Sequence, residues 1–135
     1  MRGWMLLALA LPLSACTGSY EPAPLTEKQL VRLEKELAGK QAGEKTSCIS
    51  RFPSTNLRVI SDNVLIYRVS SKLVYRNDLI GSCTGISRGD TLVVRSFSSQ
   101  YCRGDIARAV DMTTQIVGGS CALGDFTAYR TPSKK

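Results

Sequence analysis

Leu57-Arg-Val-Ile-Ser-Asp-Asn-Val-Leu-Ile-Tyr-Arg-Val69 decides the fold class of this 135-residue chain. Two runs rich in β-branched residues, 57–60 and 64–69, flank the turn-forming cluster Ser61-Asp62-Asn63. Runs of this kind around a short turn are typical of an antiparallel β-hairpin. The stretch therefore predicts two paired strands.

Further short apolar runs separated by turn residues lie on both sides of this hairpin. They are 48–52, 73–75, 91–97, 106–112 and a last pair around Gly118-Gly119, within 116–129. In 106–112, period-two alternation places Ile106, Val110 and Met112 on one side of the strand, with Arg108 between them. Strands this short, with turns about every 8–12 residues, predict a small antiparallel barrel or sandwich.

One helix is predicted before the strands, over residues 26–38. Thr26 is the expected N-cap, and Gln29 three residues later completes a capping box. Leu25 and Leu30 are placed to form a hydrophobic staple, and Gly39 ends the helix.

The helix carries one narrow apolar stripe, made of Leu30, Leu33 and Leu37. A helix this short with three leucines is marginal by itself. The stripe is therefore expected to dock, either on the β domain, on another helix or on a membrane.

The first 15 residues predict a lipoprotein signal peptide. A single Arg2 precedes the apolar run Trp4–Leu11, which is too short for a spanning helix of about 20 residues. Leu13-Ser14-Ala15-Cys16 resembles the lipobox of bacterial lipoproteins, which implies cleavage before Cys16 and lipidation of its thiol. Several acyl chains would make that membrane anchor effectively permanent. Ordinary secretion with cleavage after Ala15 is the alternative.

The resemblance to lipoproteins also implies a place in the cell envelope. Thr17, where an aspartate would favour retention in the inner membrane, implies the outer membrane, with the protein facing the periplasm. The rest of the chain then divides into a flexible tether at 16–25, the helix at 26–38, a polar linker at 39–47, a β domain at 48–131 and a basic tail at 132–135.

The cysteine count supports an exported domain. Of the five cysteines, lipidation of Cys16 leaves four: Cys48, Cys83, Cys102 and Cys121. Four cysteines in a small exported domain predict two disulfides, with three pairings open. A zinc site is the weaker alternative, because the chain has no histidine and no Cys-x-x-Cys pair. The fold class predicted is thus mainly β, a small disulfide-stapled antiparallel barrel or sandwich after one short N-terminal helix.

Residues 48–129 resemble a family of small, functionally uncharacterised exported proteins of proteobacteria, several with lipoprotein signals. The resemblance rests on six marks in this order: Cys48-Ile, Asp62 before an apolar strand, Val74-Tyr75-Arg76-Asn77, Cys83-x-Gly85-Ile86, Gln100-Tyr101-Cys102-x-Gly104-Asp105 and Cys121-x-Leu123-Gly124-x-Phe126. It implies the pairing Cys83–Cys121, which leaves Cys48–Cys102. It supplies no catalytic residues.

The residues needed for most enzyme chemistry are missing. Without histidine the chain has no Ser-His-Asp triad and no Cys-His dyad, and it has no P-loop. Asp62, Asp90, Asp105 and Asp125 stand beside Asn or Gly, which is turn chemistry. We therefore expect no enzyme activity, no cofactor and no metal.

The net charge of +7 points to anionic partners. Nine of the ten basic residues in 48–131 are arginines, and four of these on predicted strands are candidates for an anion- or partner-binding surface: Arg68, Arg76, Arg95 and Arg108. The alternative is a solvated surface encoded by a GC-rich genome, which favours arginine over lysine. Export and the lack of interleaved aromatic and basic residues argue against nucleic acid.

Two functions remain. The first is a lipid-anchored envelope protein with a non-enzymatic binding or structural role, whose partner is an envelope protein or an anionic envelope polymer. It predicts a flat surface of arginine and aromatic residues. The alternative is a periplasmic binding module for an anionic small molecule or glycan, which predicts a cleft with converging arginines.

The lipid anchor is directly testable. Replacing Cys16 by serine removes the thiol that takes the lipid, so we expect Cys16→Ser to lose the acyl mass and to leave the membrane fraction. Mass spectrometry of the N-terminal peptide and cell fractionation measure both. A Cys16→Ser protein that stays in the membrane fraction contradicts the prediction.

Overall fold

A computed structural model describes residues 18, 20–51 and 56–134. The predicted signal peptide, Cys16 and the lipobox lie outside these residues, as does the end of the predicted first strand at Phe52. No helix in the described part of the chain is long and apolar enough to cross a membrane.

The described chain contains one α-helix, α1 (Glu27–Leu37), followed by strands and one 3₁₀ turn (Ile86–Arg88). The strands are β1 (Gln41–Thr46), β2 (Cys48–Ser50), β3 (Asn56–Val59), β4 (Val64–Arg68), β5 (Leu73–Asp78), β6 (Ile80–Gly81), β7 (Thr91–Arg95), β8 (Gln100–Cys102), β9 (Ile106–Val110), β10 (Val117–Ala122) and β11 (Phe126–Arg130). The mainly β fold with one preceding helix is as predicted.

The strands form two sheets that pack as a sandwich, with a small extra ribbon. The first sheet has the order β1-β11-β5-β4-β3, the second has the order β6-β10-β9-β7, and β2 pairs with β8. All these pairings are antiparallel. The predicted hairpin is β3–β4, with Leu57 opposite Tyr67.

The predicted linker at 39–47 is wrong, because Gln41–Thr46 is strand β1 and pairs with β11 at the edge of the first sheet. Its side chains are almost all exposed, so the strand has no apolar alternation. Backbone pairing alone places it in the sheet, and the β domain therefore begins before Cys48.

Strand β4 is buried on both sides. Leu65 and Tyr67 pack into the core between the sheets, while Val64 and Ile66 pack into a second cluster that includes Leu33 of α1. This explains an uninterrupted apolar run in an antiparallel sheet, where one-sided burial would give alternation.

Two of the three leucines of the stripe, Leu33 and Leu37, dock on the β domain, and the prediction is wrong for Leu30. Leu33 is 6% exposed within the second cluster, and Leu25 and Leu37 pack against it, whereas Leu30 is 45% exposed. The capping box is confirmed: the Gln29 backbone N–H donates to Thr26 Oγ1 (3.4 Å) and the Thr26 backbone N–H to Gln29 Oε1 (2.9 Å). Leu25 therefore belongs to the folded domain, although the sequence assigned it to the tether.

Two disulfides are present, Cys48–Cys102 and Cys83–Cys121. This is the pairing that the family resemblance implies. The first joins directly opposed residues of β2 and β8, and the second lies buried at the second sheet. With sequence separations of 54 and 38 residues, each contributes about 4 kcal/mol in the loop-closure account.

Three buried polar side chains, those of Ser61, Asn63 and Asn77, form hydrogen bonds with backbone groups at turns. Ser61 Oγ accepts from the backbone N–H groups of Asn63 and Val64, both at 3.1 Å. The Asn77 side-chain amide forms two hydrogen bonds with the Gly124 backbone: it donates to the carbonyl (2.8 Å) and accepts from the N–H (3.0 Å). A Cβ at Gly124 would lie 2.0 Å from the Asp78 carbonyl oxygen, so only glycine fits there.

Leu33 and Leu30 lie on the same helix, one buried and one exposed, so their alanine variants test the docking of α1. We expect Leu33→Ala to lower the free energy of unfolding by about 2–4 kcal/mol, since it leaves a cavity under the helix. Leu30→Ala makes the same change in helix propensity at an exposed site and should cost less than about 1 kcal/mol. Urea unfolding measures both, and equal losses contradict the docking.

Tyr67 provides a second test of the core. Its hydroxyl is buried with no hydrogen-bond partner among the described residues, and burial, with smaller effects of Tyr101 and Asp105, raises its pKa. We expect Tyr67→Phe to keep or raise stability at pH 7, by up to about 1 kcal/mol, because it removes an unsatisfied buried group.

The raised pKa of Tyr67 also predicts a pH dependence. The folded protein keeps the hydroxyl proton that the unfolded chain releases near its ordinary pKa of 10.0, so this contribution to stability is complete below that pH and is lost above it. Tyr67→Phe should therefore lose less stability than the wild type above about pH 10. An unchanged alkaline slope in urea unfolding, or a large loss at pH 7, contradicts this account.

Candidate functional site

The candidate site starts from the unusual orientation of β9. Its buried side carries Ala107 and Ala109, whereas Ile106 and Arg108 point out of the sandwich and are exposed. The alternation seen in the sequence is real, but the larger apolar side chains lie on the solvent side. The small alanines pack against the core between the sheets.

We call the outer side of the second sheet the open face. Strand register arranges it in three rows across the sheet. The first row is Arg95, Ile106, Ala122 and Ile80; the second is Val93, Arg108 and Ser120; the third is Thr91, Val110 and Val117. A bulge at Gly118-Gly119 in β10 separates Val117 from Ser120 and lies between the last two rows.

The exposed apolar residues of the described chain concentrate on this side. Seven of the eleven large ones lie on the open face or at its ends: Ile80, Val93, Phe97, Ile106, Met112, Ile116 and Val117. Phe97 follows β7 beyond the first row and is 102% exposed, while Met112 and Ile116 lie beyond the third row. A contiguous exposed apolar patch of this kind is typical of an interaction site.

The four arginines predicted to share a surface divide between the two sheets. Arg95 and Arg108 lie on the open face, in adjacent rows, and have no carboxylate partner among the described residues. Arg68 and Arg76 lie on β4 and β5 of the first sheet. The predicted four-residue surface therefore does not form as one surface.

Ion pairs occupy the two arginines of the first sheet. Arg68 pairs with Glu36 of α1 at 2.8 Å, which ties the helix to the sheet. Arg76 pairs with Asp78 at 2.7 Å. Burial is the largest single effect and acts to lower the pKa of Arg76, but the hydrogen bonds to Asp78, the charge of Asp78 and the effect of Tyr129 together hold the pKa above its ordinary value. Neither guanidinium is free in the way that Arg95 and Arg108 are.

The open face combines apolar surface with uncompensated positive charge. None of the residues in its three rows is acidic. Two adjoining shallow depressions mark its surface. One is lined by Val93, Arg95, Ile106, Arg108, Val110 and Val117, and the other extends from Arg95 and Arg108 to Phe97, Arg103 and Asp105, the one acidic residue in its lining. Arg103 itself pairs with Asp125 at 2.7 Å.

The acidic side chains of the described residues are accounted for by local structure in two places. Among residues 18, 20–51 and 56–134, no group of three or more side chains that could hold a metal ion comes together. Asp105 accepts from the Cys102 N–H, and Asp111 from the Thr113 and Thr114 N–H groups, which lowers the pKa of Asp111. Both are engaged in turns; the sequence predicted this for Asp105 and not for Asp111.

The geometry defines a class of protein: a small, disulfide-linked β-sandwich with one sheet covered by a helix and the other presenting an apolar, cationic face. No family model matches the chain, and no match was found among curated proteins or solved structures.

Proposed function

We propose that this protein is a lipid-anchored protein of the bacterial cell envelope that acts by binding, without catalysis, through its open face. The observation that carries the proposal is the open face itself, where apolar side chains surround two unpaired arginines. The partner class is an envelope protein or an anionic envelope polymer.

The compartment is proposed from the N-terminus and the cysteines together. The lipobox-like Leu13-Ser14-Ala15-Cys16 supports lipidation, and Thr17 supports the outer membrane, facing the periplasm. Two disulfides in a small domain fit an oxidising compartment outside the cytoplasm.

The asymmetry of the sandwich supports a binding role for the open face. A sandwich of two sheets has two outer sides, and α1 packs on the first one through Leu33 and Leu37. The second outer side carries comparable β-branched residues with no covering element among the described residues. An external partner would bury them as α1 buries the residues of the first sheet.

The alternative function is a periplasmic module for an anionic small molecule or glycan. It is supported by the depression that Arg95 and Arg108 line together, with Phe97 close by in the adjoining one. Under this alternative, a free anionic glycan binds the purified protein and Arg95→Gln weakens that binding in calorimetry.

Site-directed photo-crosslinking in intact cells tests the proposed function. A photoreactive residue at Ile106, on the inner strand β9 of the open face, should form adducts with envelope material. The same residue at Val31, which is more exposed (61% against 48% for Ile106) but lies on α1, is the control and should form few. Equal labelling from both positions, or none from Ile106, contradicts the proposed binding face.

A further inference from the structure

We infer that the occupant of the open face is the anionic headgroup layer of the bilayer that holds the lipid anchor. This inference rests on the proposed function in its use of the open face for binding, and it assigns to that face a lipid surface in place of a protein or polymer. The lipid would then hold the chain at the membrane, and the open face would set the orientation of the domain on it.

The positive charge of the open face indicates that its occupant is anionic. Arg95 and Arg108 have no acidic neighbour within the three rows, so the occupant must supply the negative charge. A second copy of the chain is a poor match, because a face-to-face pair would bring four guanidinium groups together, and the carboxylate of Asp105, at the Phe97 end of the face, already accepts from the Cys102 N–H. Phospholipid phosphates match arginine geometry and provide many acceptors.

The apolar residues at the ends of the open face favour a bilayer over a flat polar polymer. Phe97 protrudes fully into solvent between Ser96 and Ser98, past one end of the face. Met112 and Ile116 are exposed past the opposite end. Apolar side chains at both ends could enter the headgroup–acyl boundary while the central arginines reach the phosphates.

The path of the chain towards the anchor agrees with this orientation. The Asn63 side-chain amide donates to the Tyr20 hydroxyl and also to the Gly81 carbonyl, at 3.1 Å. Gly81 belongs to β6, the margin of the sheet that carries the open face. Tyr20, four residues after Cys16 in the sequence, is thereby linked to the margin of the second sheet.

Vesicle binding tests the charge requirement. The chain 16–135 with Cys16→Ser contains every described strand and α1 and carries no acyl chain. We expect it to sediment with vesicles of phosphatidylglycerol and phosphatidylcholine more strongly than with phosphatidylcholine alone. Arg95→Gln with Arg108→Gln should weaken that binding roughly 25-fold, at about fivefold for each arginine near the surface. High salt should weaken it as well.

The matched control is Arg58→Gln with Arg130→Gln, which removes the same charge from exposed positions of the first sheet. It should retain most of the affinity. Equal losses from the two pairs, or equal binding to both kinds of vesicle, overturn the inference.

Fluorescence tests the geometry independently. The only tryptophan, Trp4, is absent from the chain 16–135, so Phe97→Trp introduces a single reporter that keeps an aromatic ring in place. We expect a blue shift of its emission, and protection from acrylamide, on adding phosphatidylglycerol vesicles. Val31→Trp on α1 should show neither change. If the vesicles leave the emission of the Phe97→Trp variant unchanged, the inference is overturned.

The inference and the proposed function can fail separately. If the vesicles bind no protein while the Ile106 cross-linker labels an envelope protein in cells, the lipid inference is overturned and the proposed binding face stands. If the Ile106 cross-linker also labels nothing, both are wrong.

Discussion

Burial of strand β4 on both sides is the constraint on which the rest of this structure depends. Leu65 and Tyr67 face the second sheet, and Val64 and Ile66 face α1, so one strand belongs to two apolar clusters. Because removing either layer would expose half of the strand to water, the helix is a layer of the fold. The second sheet has no such covering layer in the described part of the chain, although its outer side also carries β-branched residues. The sandwich is therefore asymmetric, and the disulfides reinforce its small core.

Local signals allowed much of the fold to be predicted. The capping box of α1, the β3–β4 hairpin and the number of cysteines available for disulfides each depend on residues close in sequence or on simple counts. Strand β1 could not be predicted because its polar side chains do not alternate, and only pairing with the distant β11 makes it a strand. The pair of hydrogen bonds between the Asn77 side chain and the Gly124 backbone likewise joins residues that are distant in the sequence.

The candidate site shows a different limit of sequence reasoning. Polarity alone suggests that Ile106 and Val110 face a core, yet the structure buries Ala107 and Ala109, because closely packed sheets admit small side chains there. Arg68 and Arg76 lie on one sheet and Arg95 and Arg108 on the other, and the spacing of these arginines in the sequence does not reveal to which sheet each strand belongs. Alternation of small residues with large apolar ones was the available signal, and it is ambiguous until the sheet partners are known.

The proposed anchor and the open face belong to one physical argument. The open face is three rows deep and carries two free arginines, so its intrinsic affinity for any surface is modest. A covalent lipid converts binding into an intramolecular event at high effective concentration, where a weak face is sufficient. A chain free in solution would need a larger or more apolar face, which raises the risk of aggregation. A small, partly apolar, cationic face is thus consistent with a domain that is already held at its target.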